Sequence, residues 1–413
     1  MSAASLTPVQ QRLDHLDVLR GFALLGIFMV NFAYFTLPIQ AIALGPDPGL
    51  SGPDRVVDFL IAMLFTGKFV ALFSILFGAG FALMAGRAAE RGAPFWGVYL
   101  RRLLVLAAFG LAHLLLVWSG DILLVYALCA LFMILFFRTT PTRRLWKWAV
   151  VFFAVPSLVV WLGVAALLAA ASDPDLQAGI QAGFEQAHQE LVADVEQAAV
   201  INATGSWTEN VGQRARDMQF LFSSFLFWVP PIVGFFLIGR WLIETQRLLK
   251  PNEHRMFFRR WRSRGLVLGL PLGALAAWLG LVAGNLIVPS TLSALALSFY
   301  TLAAVVLSLA YLSLVMLGAQ RLGWLAPVGR MALTNYLLQS LLWTWIFYGH
   351  GLGLWGQLPR WSHPLFVLAF FAVQVVFSHW WMTRFRFGPA EWLWRSLTYL
   401  SLQPMRRRPA GHD

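Results

Sequence analysis

Apolar stretches long enough to cross a hydrocarbon core of about 30 Å, some 20 helical residues, recur ten times along the chain. They lie near 17–37, 58–86, 98–118, 120–137, 147–171, 219–242, 264–286, 293–318, 331–350 and 364–383, with short polar clusters between them. This pattern predicts an all-α fold, a polytopic membrane bundle of about ten transmembrane helices. The second stretch is longer than one crossing needs and carries Gly67, so a tilt or a break is expected there. The one sizeable polar insertion runs from Ser172 to Asp217, and its Leu176, Ile180, Phe184, Leu191 and Val195 have helical spacing. It predicts an amphipathic helix lying either on the mouth of the bundle or simply at the surface. The segment from Pro38 to Pro53, rich in Gly and Pro, predicts irregular backbone. The chain thus divides into an N-terminal half (1–171), the insertion (172–217) and a C-terminal half (218–413), with no evident internal repeat.

Composition agrees with lipid as the solvent. Hydrophobic residues make up 59% of the chain and charged ones 12%, against roughly 25% charged in soluble domains. The net charge of +12 would suit nucleic acid if it lay on one face, but the basic residues cluster between apolar runs, which excludes that class of partner. They orient the bundle instead. With the N-terminus in the cytoplasm, 26 of the 31 Lys and Arg fall inside, Arg55, Arg214, Arg216 and Arg360 fall outside, and Lys68 lies within a span. Both termini are therefore expected in the cytoplasm of a bacterial-type inner membrane, with the insertion, eight acids against two Arg, outside. Met1 to Arg20 lacks the features of a cleaved secretory signal, so the first span is expected to be retained. Cys129, the single cysteine, sits in an apolar run and reads as packing.

Polar side chains at membrane depth cost free energy unless paired, so each is a candidate for function. Asn31 lies about 16 Å beyond Arg20 along the first span, Lys68 about 15 Å inward of Asp58, and His113 about 12 Å from Asp121. Asn31, Asp58, Lys68, His113 and Asp121 are expected to line one outward-leaning cavity. Lys68 could equally neutralise Asp58 or Asp121 structurally. The inner group contains Arg20, Arg101, Arg102, Arg330, Asn335, Gln339 and His379. Arg grips phosphate bidentately, and Arg20 and Arg330 each adjoin a glycine, Gly21 and Gly329, that permits close approach. Arg101 and Arg102 fit topology charges better, and Asn335 and Gln339, one turn apart, also fit interhelical hydrogen bonding. His113 is the leading catalytic candidate, because imidazole suits general base work near neutral pH. No P-loop, G-x-S-x-G or H-E-x-x-H signature occurs, and no Cys/His spacing suggests a metal.

The stretches LDHLDVLRGFALLGIFMVNF (13–32), GKFVALFSILFGAGFAL (67–83), RRLLVLAAFGLAHLLLVWSGDILLVYAL (101–128), GRMALTNYLLQSLL (329–342) and FGPAEWLWRSLTY (387–399) resemble the YeiB-like family of bacterial inner-membrane proteins. The later stretches resemble its C-terminal half, domain of unknown function 418. That family is grouped with transmembrane acyltransferases similar to heparan-glucosaminide N-acetyltransferase, which carry an acetyl group from cytosolic acetyl-CoA to an acceptor across the membrane. The shared span-one motif is Asp17, Arg20, Gly21 and Asn31 here. In that acetyltransferase the active His follows span one, whereas residues 38–57 here hold none, which leaves His113 with Asp121 or Asp58.

The resemblance implies a membrane acyltransferase. Acetyl-CoA or another acyl-CoA would be the co-substrate, with no metal, held by Arg20, Gly21, Asn31, Lys68, Arg330, Asn335 and Gln339. His113, Asp121 and Asp58 would supply the chemistry, with direct transfer expected because no cysteine or activated serine stands out. Membrane lipids and an unidentified acceptor complete the expected partners, and a homodimer is allowed. The rival reading is a transporter or channel for a small anionic solute, with Lys68, Asp58 and Asp121 as a proton relay.

Overall fold

The computed structural model describes residues 7–92, 95–284 and 288–407, with side chains from residue 14 onward. Arg408 of the basic tail and the end of the seventh apolar run lie outside the described residues. Within them the fold is helical, and β structure is confined to one bridge between Phe385 and Arg406.

In chain order the helices are α1 (Thr7–Tyr34), α2 (Ala41–Leu44), α3 (Gly52–Leu64), α4 (Lys68–Glu90), α5 (Trp96–Leu116), α6 (Leu123–Phe137), α7 (Thr142–Ala170) and α8 (Pro174–Thr204). There follow α9 (Trp207–Ser223), α10 (Phe225–Glu244), α11 (Arg255–Ala283), α12 (Thr291–Gly318), α13 (Ala326–Arg330), α14 (Ala332–Phe347), α15 (His363–Arg384) and α16 (Pro389–Tyr399). All ten apolar runs are helical. Among the described residues, eight stretches are long and apolar enough to cross a membrane; the runs near 120–137 and 331–350 form α6 and α14, of 15 and 16 residues. Large apolar side chains on the outside of the bundle, such as Leu104, Leu162, Val267 and Val376, are exposed. This is a multi-pass helical membrane protein.

The long second run is two helices. Gly67, at φ +82° in the left-handed region, ends the turn that separates α3 from α4. Lys68 follows it fully buried, and its Nζ donates to the carbonyl of Ala62 at 2.8 Å while lying 5.4 Å from the centre of the Tyr300 ring. A cation at the C-terminal end of α3 satisfies an orphaned carbonyl and complements the helix dipole. Lys68 therefore neutralises neither Asp58 nor Asp121; the sequence offered two carboxylates, and the broken helix supplied a nearer acceptor.

The two sequence halves pack into each other. In the contact of α4 with α10, a Cβ at Gly78 would meet the Phe236 carbonyl and one at Gly239 would meet the Ile75 carbonyl. Small residues allow such backbone approach where lipid provides no hydrophobic drive between helices. Cys129 is buried with Tyr126, Met133 and Phe236 in an aromatic-rich cluster, as packing requires.

The insertion is a cap rather than one helix. Asp173 accepts from the backbone N–H groups of Asp175 and Leu176 to start α8, and a Ser206/Glu209 capping box starts α9. Of the five spaced apolar residues on α8, Leu176 is exposed and the other four are half-buried. The Pro38–Pro53 segment is irregular apart from the single turn α2 and the start of α3 at Gly52.

Candidate functional site

A buried titratable cluster lies where α5, the turn into α6, and α14 meet. His113, one turn before the end of α5, sends Nδ1 to Asp121 Oδ2 at 2.8 Å and Nε2 to Ser340 Oγ at 2.6 Å. His113, Asp121 and Ser340 are each at most 5% exposed. The carboxylate is itself held: Asp121 Oδ1 accepts from the Leu124 backbone N–H at 2.8 Å, at the positive end of α6. Gly110, one turn back on α5, makes room, since a Cβ there would collide with Leu124 N and Asp121 Oδ1. The rings of Tyr336 and Trp118 lie 5.2 and 6.5 Å from the imidazole.

With Asp121 ionised and the imidazole neutral, Nδ1 carries the imidazole proton and Nε2 is left to accept from the Ser340 hydroxyl. This is the serine–histidine–aspartate arrangement that activates hydroxyls in soluble hydrolases, recognised by geometry and not by sequence order.

Of the residues expected to line one cavity, His113 and Asp121 meet and the others do not join them. Asp58 stays with α3 and pairs with Arg360, Oδ1 to NH2 at 2.9 Å, so it does not face His113. The helix that carries it is anchored beside residues 360–362, where Asp54 also accepts from the Trp361 backbone N–H. Asn31 is half-buried on α1, and its side chain is not among the groups that bond His113.

The inner group divides in four. Arg20 NH1 donates to Asp17 Oδ1 at 2.5 Å, and Arg330 donates to Asp17 at 3.3 Å and to Asp14 at 2.6 Å. Gly21 and Gly329 bring these strips together: a Cβ at Gly329 would strike the Asp17 carbonyl, and one at Gly21 the Leu325 carbonyl. Arg20 lies within electrostatic range of Arg102, and Arg102 within range of Arg395. Arg101 and Arg102 also hold α16, through Arg101 Nε to the Thr398 carbonyl and Arg102 stacked 3.8 Å from the Trp394 ring. Asn335 and Gln339 bond α15: Asn335 Nδ2 donates to Ser378 Oγ at 3.0 Å, and Gln339 Nε2 to Gln374 Oε1 at 2.8 Å. Gln339 Oε1 has no partner among the described residues. His379 is exposed and bonds the Trp324 carbonyl.

Glu391 was not singled out in the sequence. Its Oε1 accepts from the backbone N–H groups of Leu333 and Thr334, and its Oε2 from the Thr334 hydroxyl at 2.6 Å. It caps α14, the helix that carries Ser340, and burial pushes its carboxyl above the usual range against those hydrogen bonds.

The cap reaches the same site from the other end. Buried Asp217 accepts from Gln40 at 2.6 Å, from Gln213 at 2.7 Å and from the Ser119 hydroxyl. Ser119 lies in the turn between His113 and Asp121, so α9 holds the loop that aims the carboxylate. Burial raises the Asp217 carboxyl and lowers the neighbouring Arg214 guanidinium, whose NH1 donates to the Leu116 carbonyl at 3.1 Å.

Ser340 was missed in the sequence. A serine inside a membrane helix carries no warning, because its hydroxyl can always bond a carbonyl of the preceding turn; here Tyr336 O and Leu337 O lie 3.3 and 3.2 Å away. The available signal was the run of polar residues Thr334, Asn335, Gln339, Ser340 and Thr344 on one apolar helix. Among the described residues, no group of three or more His, Cys, Asp or Glu is placed to hold a metal.

Compared with known proteins, residues 242–401 match the family described as "Protein of unknown function (DUF418)". The chain is 35% identical to the uncharacterized protein YxaH of Bacillus subtilis (strain 168), over 99% of each chain. It is 30% identical to the uncharacterized protein YeiB of Escherichia coli (strain K12), over 94% of this chain and 97% of that one. An uncharacterized 39.9 kDa protein in the amylase 3' region of Bacillus acidopullulyticus is 28% identical over 95% of each chain. No solved structure matches.

Proposed function

The chain belongs to the family of the YxaH and YeiB proteins, and from that premise we propose that it is a membrane-embedded acyltransferase. Acyl-CoA, most simply acetyl-CoA, is the donor from the cytoplasm, and the acceptor is a hydroxyl or amine at or beyond the outer face of an inner membrane. The observation that carries this reading is His113. Its imidazole is buried, bonded through Nδ1 to Asp121, and lies with Nε2 2.6 Å from a hydroxyl oxygen. That is the geometry a general base needs. The relay on which a transporter would depend is not assembled, since Lys68 bonds the Ala62 carbonyl and Asp58 bonds Arg360.

The donor docks in this reading against the half-exposed Arg20 and Arg330, with Arg102 and Arg395 adding positive charge. Asp14 and Asp17 hold the two guanidinium groups in place, and each Arg retains N–H donors beyond these bonds for phosphate. Arg102 and His113 are eleven residues apart on α5, about 16 Å of rise, which is roughly half the hydrocarbon core and within reach of an extended pantetheine arm. Acetyl-CoA should raise the unfolding temperature of the purified protein. Arg20→Ala should weaken that binding about tenfold or more, while Arg144→Ala, in a loop explained by topology, leaves it unchanged. Equal effects of the two variants in a titration would return Arg20 to an orientation charge.

The sidedness of the reading places residues 172–217 outside, because eight acids and two Arg oppose the balance of every loop assigned to the cytoplasm. A cysteine introduced at Glu190 in a Cys129→Ala background should react with an impermeant maleimide on intact spheroplasts. Reaction only after lysis would invert the topology and the proposed direction of transfer.

A further inference from the structure

We propose that Ser340 is the acyl carrier, so that transfer runs through a covalent acyl-serine. The proposal rests on the acyltransferase reading for its donor but adds a nucleophile and a two-step course to it. Two observations carry it. Ser340 Oγ is bonded to His113 Nε2 at 2.6 Å, shorter than its 3.2 and 3.3 Å approaches to its own helix carbonyls, so the imidazole is the nearest acceptor for the hydroxyl proton. The second ring nitrogen is spent on Asp121, whose carboxylate is fixed by the Leu124 N–H, so the base is oriented as well as near.

In the first half, Nε2 takes the proton from Oγ as Oγ bonds to the thioester carbonyl carbon. The tetrahedral oxyanion collapses, the C–S bond breaks, and the imidazolium returns the proton to the departing sulfur, leaving free CoA thiol and an acyl ester on Ser340. In the second half, the acceptor O–H or N–H gives its proton to Nε2 and its heteroatom bonds the acyl carbon. The C–Oγ bond then breaks and the proton goes to Oγ, which restores the serine. No oxidant, reductant or metal enters the balance.

The test uses the full-length protein in detergent or vesicles, with radiolabelled acetyl-CoA and a fluorophosphonate as probes. The expected result is label bound covalently to the protein, mapped to the Ser340 peptide and absent from Ser340→Ala and from His113→Gln. Ser340→Cys should accumulate the acyl group as a hydroxylamine-labile thioester, which keeps the test open if the alanine variant folds poorly. Fluorophosphonate should react at Ser340 only when His113 is present; that outcome without any acetyl transfer supports the nucleophile while removing acyl-CoA as its donor. Acetyl transfer that survives Ser340→Ala with no protein-bound label overturns the proposal and leaves direct transfer by His113 standing. Wild-type protein that neither transfers acetyl nor reacts with fluorophosphonate overturns both.

Discussion

His113→Gln is expected to lower acyl transfer by about a thousandfold or more, the scale associated with general base catalysis at its upper range, while leaving acyl-CoA binding and the fold in place. The choice of substitution follows from burial. His113→Ala would leave the Asp121 carboxylate buried without its partner, and breaking a buried pair that way costs about 3–5 kcal/mol, so lost activity could reflect lost structure. A glutamine amide can still donate toward Asp121 but has no nitrogen that accepts a proton. Asp121→Asn should fall by a comparable factor for a different reason. The amide can donate where the carboxylate only accepts, which favours the tautomer with the proton on Nε2 and turns the base away from Ser340. Initial rates of CoA thiol release, read beside thermal unfolding of each variant, check both. Near wild-type turnover by well-folded His113→Gln would sink the assignment.

The largest structural effect is expected at Gly239. A Cβ there would run into the Ile75 carbonyl across the α4–α10 contact, and the obstacle is backbone, which cannot rotate away as a side chain can. Overpacking of ordinary cores costs about 1–3 kcal/mol and sometimes more; with two helix backbones forced apart, Gly239→Val should exceed about 3 kcal/mol and leave little folded protein. Gly80→Ala is the control, since it lies on α4 near the same crossing and its new methyl would meet nothing within 4 Å. That change should be neutral or slightly stabilising, because alanine is the better helix former. The yield and melting temperature of the monodisperse peak in detergent compare them, and a Gly239→Val variant as stable as wild type would contradict the close packing.

The features legible in the sequence were those whose physics is local. Hydrophobic length gave the helical runs, and Gly67 gave the break because a left-handed turn needs a residue without Cβ. His113 and Asp121 were legible as a pair because one tight turn joins the helices that carry them. What the sequence misplaced or left open concerns which partner each polar side chain meets. Asp58 was grouped with His113 by depth alone, but depth says nothing about rotation around the bundle, and α3 turns it to Arg360. Lys68 was given carboxylate partners because a buried ammonium needs compensation, and the broken end of α3 supplies it with a carbonyl instead. Asn335 and Gln339 read as ligands or as interhelical glue, and their bonds to Ser378 and Gln374 of α15 bear out the second. Ser340 was invisible because a serine in a helix can satisfy itself; only the tertiary fold brings it to Nε2. Likewise, Asp217 reads as one more acid in an acidic insertion until α9 is seen to hold the Ser119 turn.

Inverted membrane vesicles carrying the wild-type protein, supplied on their outer, formerly cytoplasmic, surface with acetyl-labelled acetyl-CoA, put the whole course from donor to acceptor in one vessel. The expected result is release of free CoA thiol outside the vesicles together with label on a membrane or lumenal acceptor, both abolished in vesicles carrying His113→Gln. Acetyl-CoA that remains intact over wild-type vesicles still holding their native acceptors, or label transferred equally by His113→Gln, would contradict an acyltransferase built around His113.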